Sequence, residues 1–172
     1  METLSFLQKI KNIGKSTREK QEDLNTGEVY ELWDLLRSRY DVYYRTQVLE
    51  SQVSDQDLKI VVAQGLKILT RQIEKLEKLL LTYGVPLPEK PPEDVTETTK
   101  VGSITDKYIY RNIFAGIGSF LPIHLSALIK SSSPVIRQAL KEMLIEEIEI
   151  YDSYFEYGKL KNYLDFPPKF VR

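Results

Sequence analysis

A chain of 172 residues is long enough to form one domain around a full apolar core. Its 24 Lys plus Arg against 25 Asp plus Glu leave a net charge of −1, with short lysine clusters interleaved with glutamates, so no electrostatic footprint for nucleic acid is present. The absence of cysteine excludes disulfides, thiolate zinc sites, iron–sulfur clusters and cysteine nucleophiles, and is compatible with a cytoplasmic protein.

The first 24 residues place Leu4, Phe6, Leu7, Ile10 and Ile13 among lysines, the pattern of a short amphipathic helix without the continuous apolar stretch of a signal peptide. Asn25 followed by Glu28 is a capping box and opens the first long helix, in which Val29, Trp33, Leu36, Tyr40 and Tyr43 form one seam. Ser54 with Asp57 caps the second helix, whose seam runs Leu58, Val62, Gly65, Leu69, Gln72, Leu76, Leu79 and Tyr83 before Gly84 and Pro86 stop it. Residues 85–103 hold four prolines and little apolar material and read as a long extended connection. The third helix begins between Ser103 and Asp106 and carries Ile113, Ile117, Phe120, His124 and Leu128 inward, with a kink expected at Pro122. Ser133 and Pro134 are a cap and first-turn pair for the fourth helix, whose seam is Ile136, Leu140, Met143, Glu147, Tyr151, Tyr154 and Gly158.

Within the third helix, residues 112–129 carry no formal charge over 18 positions, close to the length of a membrane span. The Asn, His, Ser, Gly and Pro residues inside that stretch favour a deeply buried bundle helix, and no span is expected.

These elements predict an all-α, single-domain four-helix bundle over 25–165, preceded by the 1–24 amphipathic segment. The two short turns and the long 85–103 connection select its topology. An extended chain covers about 3.3 Å per residue, enough for that connection to run the length of the bundle. The prediction is therefore the ferritin-like arrangement, with the second and third helices parallel and one crossover between them.

The order of elements, the segment LLLTYGVPLPEKPP at the end of the second helix, and the tyrosine-rich stretch before DFPP resemble the ferritin-like proteins of spore-forming bacilli, relatives of the coat F type of spore coat protein. The likeness covers roughly residues 25–170. It implies a spore or sporulating-cell context, a cytoplasmic or spore coat location and a structural role, and it carries over no catalytic residues.

The chemistry of the inward positions is sparse. A di-iron bundle needs about four inward carboxylates and two histidines, whereas this chain has one histidine and places only Glu147 clearly on a seam. Where such a bundle would carry a Glu-x-x-His pair, residues 69–72 read Leu, Thr, Arg, Gln. A haem held by His124 and Met143 competes with plain core packing of both, and no serine motif accompanies His124 to suggest a hydrolase. No catalytic residue, metal or cofactor is expected. Tyr40, Tyr43, Tyr44, Tyr151, Tyr154 and Tyr157 are expected at the edge of the core with their hydroxyls reaching water; a ligand cavity or oxidative cross-linking are the functional alternatives.

Gln72, His124 and Glu147 each fall near the middle of an apolar stripe. In the single-crossover topology they lie at similar depth, within roughly 6 Å at about 1.5 Å per residue. Two arrangements are open. In one, Glu147 accepts a hydrogen bond from His124 and Gln72 satisfies a remaining polar group, forming a buried cluster or small-ligand site; in the other, Glu147 rotates outward by one position and His124 bonds a backbone carbonyl. Two functional readings follow: a non-enzymatic structural or interaction protein associated with the spore coat and its other proteins, or a bundle that binds a small ligand or a single metal. Phe114, Leu121, Leu125 and Ile129 widen the apolar stripe of the third helix, and Gly116 and Gly118 allow close approach. A homodimer is expected, burying that helix or the N-terminal segment lying over it.

Overall fold

The computed structural model describes residues 6–7, 10–92, 102, 104–168 and 170, and among them helices are the only regular elements. A short helix, α1 (Thr17–Gln21), precedes four long ones: α2 (Thr26–Gln52), α3 (Gln56–Thr82), α4 (Asp106–Lys130) and α5 (Pro134–Leu160).

The caps explain the boundaries. Asn25 and Glu28 form the expected capping box on α2, and Pro134 occupies the first turn of α5 behind Ser133. At the end of α3 the chain reverses through Gly84 at φ 66°, a left-handed conformation that glycine adopts without a Cβ penalty, and the Val85 N–H closes onto the Leu80 carbonyl. The cap of α3 is Asp55, which accepts from the N–H groups of Asp57 and Leu58, and not the expected Ser54. The reason is tertiary: Asp106, at the start of α4, accepts the N–H groups of Ser54 and Asp55 at 2.8 and 3.1 Å, which fixes the turn one residue further on. α4 passes through Pro122 as one helix.

A carboxylate on α2 holds the other turn in return. Glu28 Oε1 accepts the N–H groups of Ser132 and Ser133 at 2.6 and 2.7 Å. The start of α2 therefore meets the end of α4, and the start of α3 meets the start of α4. Helices α3 and α4 run parallel, and the segment between them must travel the length of the bundle. This is the single-crossover four-helix topology that the long connection predicted. Along its described part, Leu87 packs on the core and Pro88 is buried; the rest of residues 85–103, apart from Gly102, lies outside the described residues.

Two apolar clusters fill the interior. One joins Leu32, Leu36, Leu76, Leu80, Phe120 and Leu140 with Met143, and the other joins Val53, Leu58, Val62, Ile109, Tyr110 and Tyr154. Most expected seam residues of α3, α4 and α5 point inward. On α2, Leu36 and Tyr40 of the expected seam are buried, but Glu28, Leu32, Leu35, Arg39 and Thr46 are buried beside them, while Val29, Trp33 and Tyr43 are half-buried. The inward face is one position wider than expected, and Arg39 is accommodated on it because it has a partner inside.

The N-terminal segment also departs from expectation. Helix α1 is set by a Ser16–Glu19 capping box and docks on the end of α3, where Gln21 donates to the Tyr83 carbonyl at 2.9 Å. Asn12 and Ile13 lie beside Leu79, Tyr83, Val135 and Ala139, so this part of the segment sits at the α3–α5 end of the bundle. Phe6, Leu7 and Ile10 are exposed, and Leu4 is outside the described residues.

Candidate functional site: a buried polar layer

Each long helix contributes a polar side chain to one buried layer: Arg39 from α2, Gln72 from α3, His124 from α4 and Glu147 from α5, all 2% exposed or less. A buried charge is tolerated only when paired and hydrogen-bonded, and the pairing here runs through Arg39. Its Nη2 donates to Glu147 Oε2 at 2.5 Å and lies 2.7 Å from His124 Nε2. A guanidinium can only donate, so His124 Nε2 accepts and its proton resides on Nδ1. The guanidinium also lies 3.8 Å from the Phe120 ring centroid, a cation–π contact strengthened by desolvation.

This geometry corrects the expected hydrogen bond from His124 to Glu147. The two are neighbours at 3.7 Å, but Arg39 takes the position between them. Gln72 likewise bonds outside the expected cluster, donating from Nε2 to Glu146 Oε2 at 2.8 Å; Glu146 is paired at the surface with Arg71. Helix α5 thus presents Glu147 inward and Glu146 sideways toward α3.

The protonation states follow from burial and contact. Burial depresses the His124 imidazolium below its ordinary pKa, and the opposing pull of Glu147 does not overcome it, so the ring is neutral at pH 7. Burial alone would raise the Glu147 carboxyl, but His124 and Arg39 outweigh it and hold it below the ordinary range. Burial also lowers the Arg39 guanidinium, against Glu147; an arginine remains protonated under such conditions. The layer contains one fixed positive charge, one fixed negative charge and a neutral imidazole.

Beside it lies a cavity of about 50 Å³ lined from all four helices, by Arg39, Gln72, Ile113, Phe120, Glu147 and Tyr154 among others. At about 10–15 Å³ per water it accommodates a few waters or a ligand of similar size. Arg39 Nε, Gln72 Oε1 and His124 Nδ1 are buried without a protein partner, and the first two belong to residues on the cavity wall. Among the described residues no three His, Asp or Glu side chains come together in a metal-binding group.

Arg39 was absent from the residues anticipated from sequence, although its signal was present. Glu28, Leu32, Leu35, Arg39, Val42 and Thr46 follow a four-three-four-three-four spacing, and a carboxylate expected in the core requires a cation. Tyr110 was missed as well. It is buried on α4, stacks near Phe114, Tyr154, Tyr157 and Tyr163, and burial pushes its hydroxyl pKa up to about 12. Several tyrosine hydroxyls bond protein groups: Tyr110 donates to the Tyr154 carbonyl, Tyr154 to the Val61 carbonyl and Tyr40 to Glu77.

Comparisons with known proteins agree with the helical fold. A family model described as "Protein of unknown function (DUF3231)" matches residues 12–172. The fold is similar to that of a "putative spore coat protein" from Bacillus halodurans C-125, with a TM-score of 0.79 and 20% identity over 87% of this chain and 96% of that one. It is also similar to a conserved hypothetical protein from Mycobacterium tuberculosis, with a TM-score of 0.65 and 13% identity over 78% of this chain and 98% of that one. No curated protein matches the sequence.

Proposed function

Because the chain belongs to the family described as "Protein of unknown function (DUF3231)", whose description names no activity, we propose from its own geometry that it is a non-enzymatic structural protein of sporulating cells, associated with the spore coat and acting by contact with other proteins. The observation that carries this reading is the mutual pairing of the two buried charges in the layer. Arg39 occupies both Glu147 and the accepting nitrogen of His124, and all three are sealed from bulk solvent, as in a device that fixes helix register. The printed description of the Bacillus halodurans protein of similar fold supports the spore context. Fractionation of a sporulating culture, followed with an antibody against the chain, tests it. Appearance after the onset of sporulation and recovery in coat extracts are expected; expression confined to vegetative growth would overturn the assignment.

Self-association belongs to the same reading. Leu125 and Ile129 on α4 and Ile145 and Ile148 on α5 are exposed, which supports a homodimer through this side of the bundle. Phe114 contributes less than its sequence position suggested, since it is half-buried against Tyr151 at 4.7 Å between ring centroids.

A second reading, a small-ligand bundle, is favoured by the cavity and the unpartnered Arg39 Nε and Gln72 Oε1 beside it. Native mass spectrometry and elemental analysis of purified protein separate the two: a stoichiometric small molecule or metal favours the ligand reading, and the mass of the bare chain removes it.

A further inference from the structure

A groove of about 410 Å³ runs between α2 and α3, away from the buried layer, with Lys90, Pro91 and Pro92 of the crossover forming part of its wall. Small-ligand and side-chain pockets commonly span about 300–1,000 Å³. The chain seats a cation of its own here. Lys90 Nζ lies 2.8 Å from Glu77 Oε1 and 5.4 Å from the centroid of the Tyr40 ring, while the Tyr40 hydroxyl donates to the same Glu77 oxygen at 2.6 Å. The seat thus combines an aromatic face with a carboxylate, the two groups that attract an ammonium or guanidinium.

The same combination recurs one helical turn further along. Tyr43 and Tyr44 follow Tyr40 by three and four positions on α2, and Glu74 precedes Glu77 by three on α3. These helices are antiparallel, so both steps move in the same direction along the groove. Tyr43, Tyr44 and Glu74 all line it; both rings are half-buried and Glu74 is exposed. Glu74 has no hydrogen bond or ion pair among the described residues. The charged residues of the lining are Glu74, Glu77 and Lys90. Lys90 answers Glu77, and among the described residues no cation pairs with Glu74.

We propose that the Tyr43–Tyr44–Glu74 step is a docking site for a lysine or arginine of a partner protein, carried on an extended, proline-flanked segment and seated as Lys90 is seated on Tyr40 and Glu77. Charge complementarity selects the cation. The chain's own Lys90–Pro91–Pro92 selects the flanking residues, since proline-rich segments enter aromatic grooves with little ordering cost. The site is distinct from the buried layer and stands whether or not the protein belongs to the spore coat.

The test uses the full chain and a blocked hexapeptide, Lys-Pro-Pro-Lys-Pro-Pro, with a second peptide in which norleucine replaces both lysines. Calorimetric or NMR titration is expected to show saturable binding of the lysine peptide below about 1 mM, weakened by added salt, and none of the norleucine peptide. Glu74→Gln and Tyr44→Leu, one at an exposed and one at a half-buried position, are expected to weaken binding about threefold to tenfold with unchanged helical circular dichroism. Absence of saturation, equal binding of the norleucine peptide, or indifference to Glu74→Gln overturns the proposal. Binding that emerges only in a Lys90→Met variant also overturns it, because the peptide then replaces the chain's own lysine on Glu77.

Discussion

Arg39 Nη2 and Glu147 Oε2 lie 2.5 Å apart with both side chains 2% exposed, so α2 and α5 are joined inside the bundle by an ion pair that bulk water does not reach. Removing one partner strands a buried charge, whereas replacing both with apolar residues of similar volume does not. Arg39→Met is expected to destabilise the protein by about 3–5 kcal/mol, and the double variant Arg39→Met, Glu147→Leu to recover most of that loss. Urea unfolding of wild type, both singles and the double measures the coupling. A double variant as unstable as Arg39→Met would show that the pair contributes in another way.

The same layer predicts sensitivity to acid. The folded pKa of His124 is depressed relative to about 6.5 in the unfolded chain, so below that value the unfolded state binds the extra proton and stability falls as pH drops toward the folded pKa. The depressed Glu147 carboxyl acts in the same direction at lower pH. Its contribution is complete above the unfolded carboxylate value of about 4.3 and is lost as pH falls through the folded pKa. Unfolding free energy measured from pH 7.5 to 4.5 should decline, and His124→Gln should flatten the upper part of that slope. Since His124 is the chain's one histidine, its ring signals in NMR are unambiguous. They should report the Nδ1–H tautomer, and Glu147→Gln should move the titration lower still.

Gly158 tests the packing of α4 on α5. A Cβ built at this position would lie 1.9 Å from Tyr110 Oη and 2.2 Å from its Cζ, and Tyr110 is fully buried, so the ring has no open space to swing into. Gly158→Ala is expected to cost about 1–3 kcal/mol or more through overpacking, and Tyr110→Leu in that background to cost less than it does alone. Thermal unfolding of the four proteins reads the non-additivity.

Glu28 and Asp106 each hold the turn of the opposite helical hairpin. Glu28→Ala removes the acceptor for the N–H groups of Ser132 and Ser133 as well as half of the α2 capping box, and a loss of about 2–4 kcal/mol is expected from the combined terms. Asp106→Ala should cost less, because the Ser54 N–H it releases belongs to an exposed residue. Amide hydrogen exchange should rise at residues 131–133 in the first variant and at 54–55 in the second, with little change at the other turn.

The exposed apolar side of α4 and α5 predicts a dimer in sedimentation at micromolar concentration, and Leu125→Glu should shift it to monomer without loss of helicity. Leu125 is 48% exposed, so the substitution leaves the core intact. A wild-type protein that sediments as a strict monomer would remove self-association from the proposed function.

What the sequence determined was local: where the helices begin and end, and which connection had to be long. Asn25 with Glu28, Pro134, Gly84 and the prolines after it act through their own backbone or that of residues within one turn, so their effect can be read without knowing the fold. The inward direction of Gln72, His124 and Glu147 was legible for a similar reason, since each sits in the middle of an apolar repeat.

The tertiary structure decided which partner each group took. Whether α2 turned Tyr43 or Arg39 inward depended on a carboxylate 108 positions away, because the gain from pairing a buried charge exceeds the small difference between two apolar seams. Once Arg39 entered, its donor-only guanidinium fixed the tautomer of His124 and excluded the histidine–glutamate hydrogen bond, and Gln72 found Glu146 at the α3–α5 boundary. The cap of α3 moved from Ser54 to Asp55 by the same logic, through Asp106 at the start of a helix 51 positions beyond Asp55. Helical periodicity specifies a face; only the packed neighbour specifies the atom that meets it.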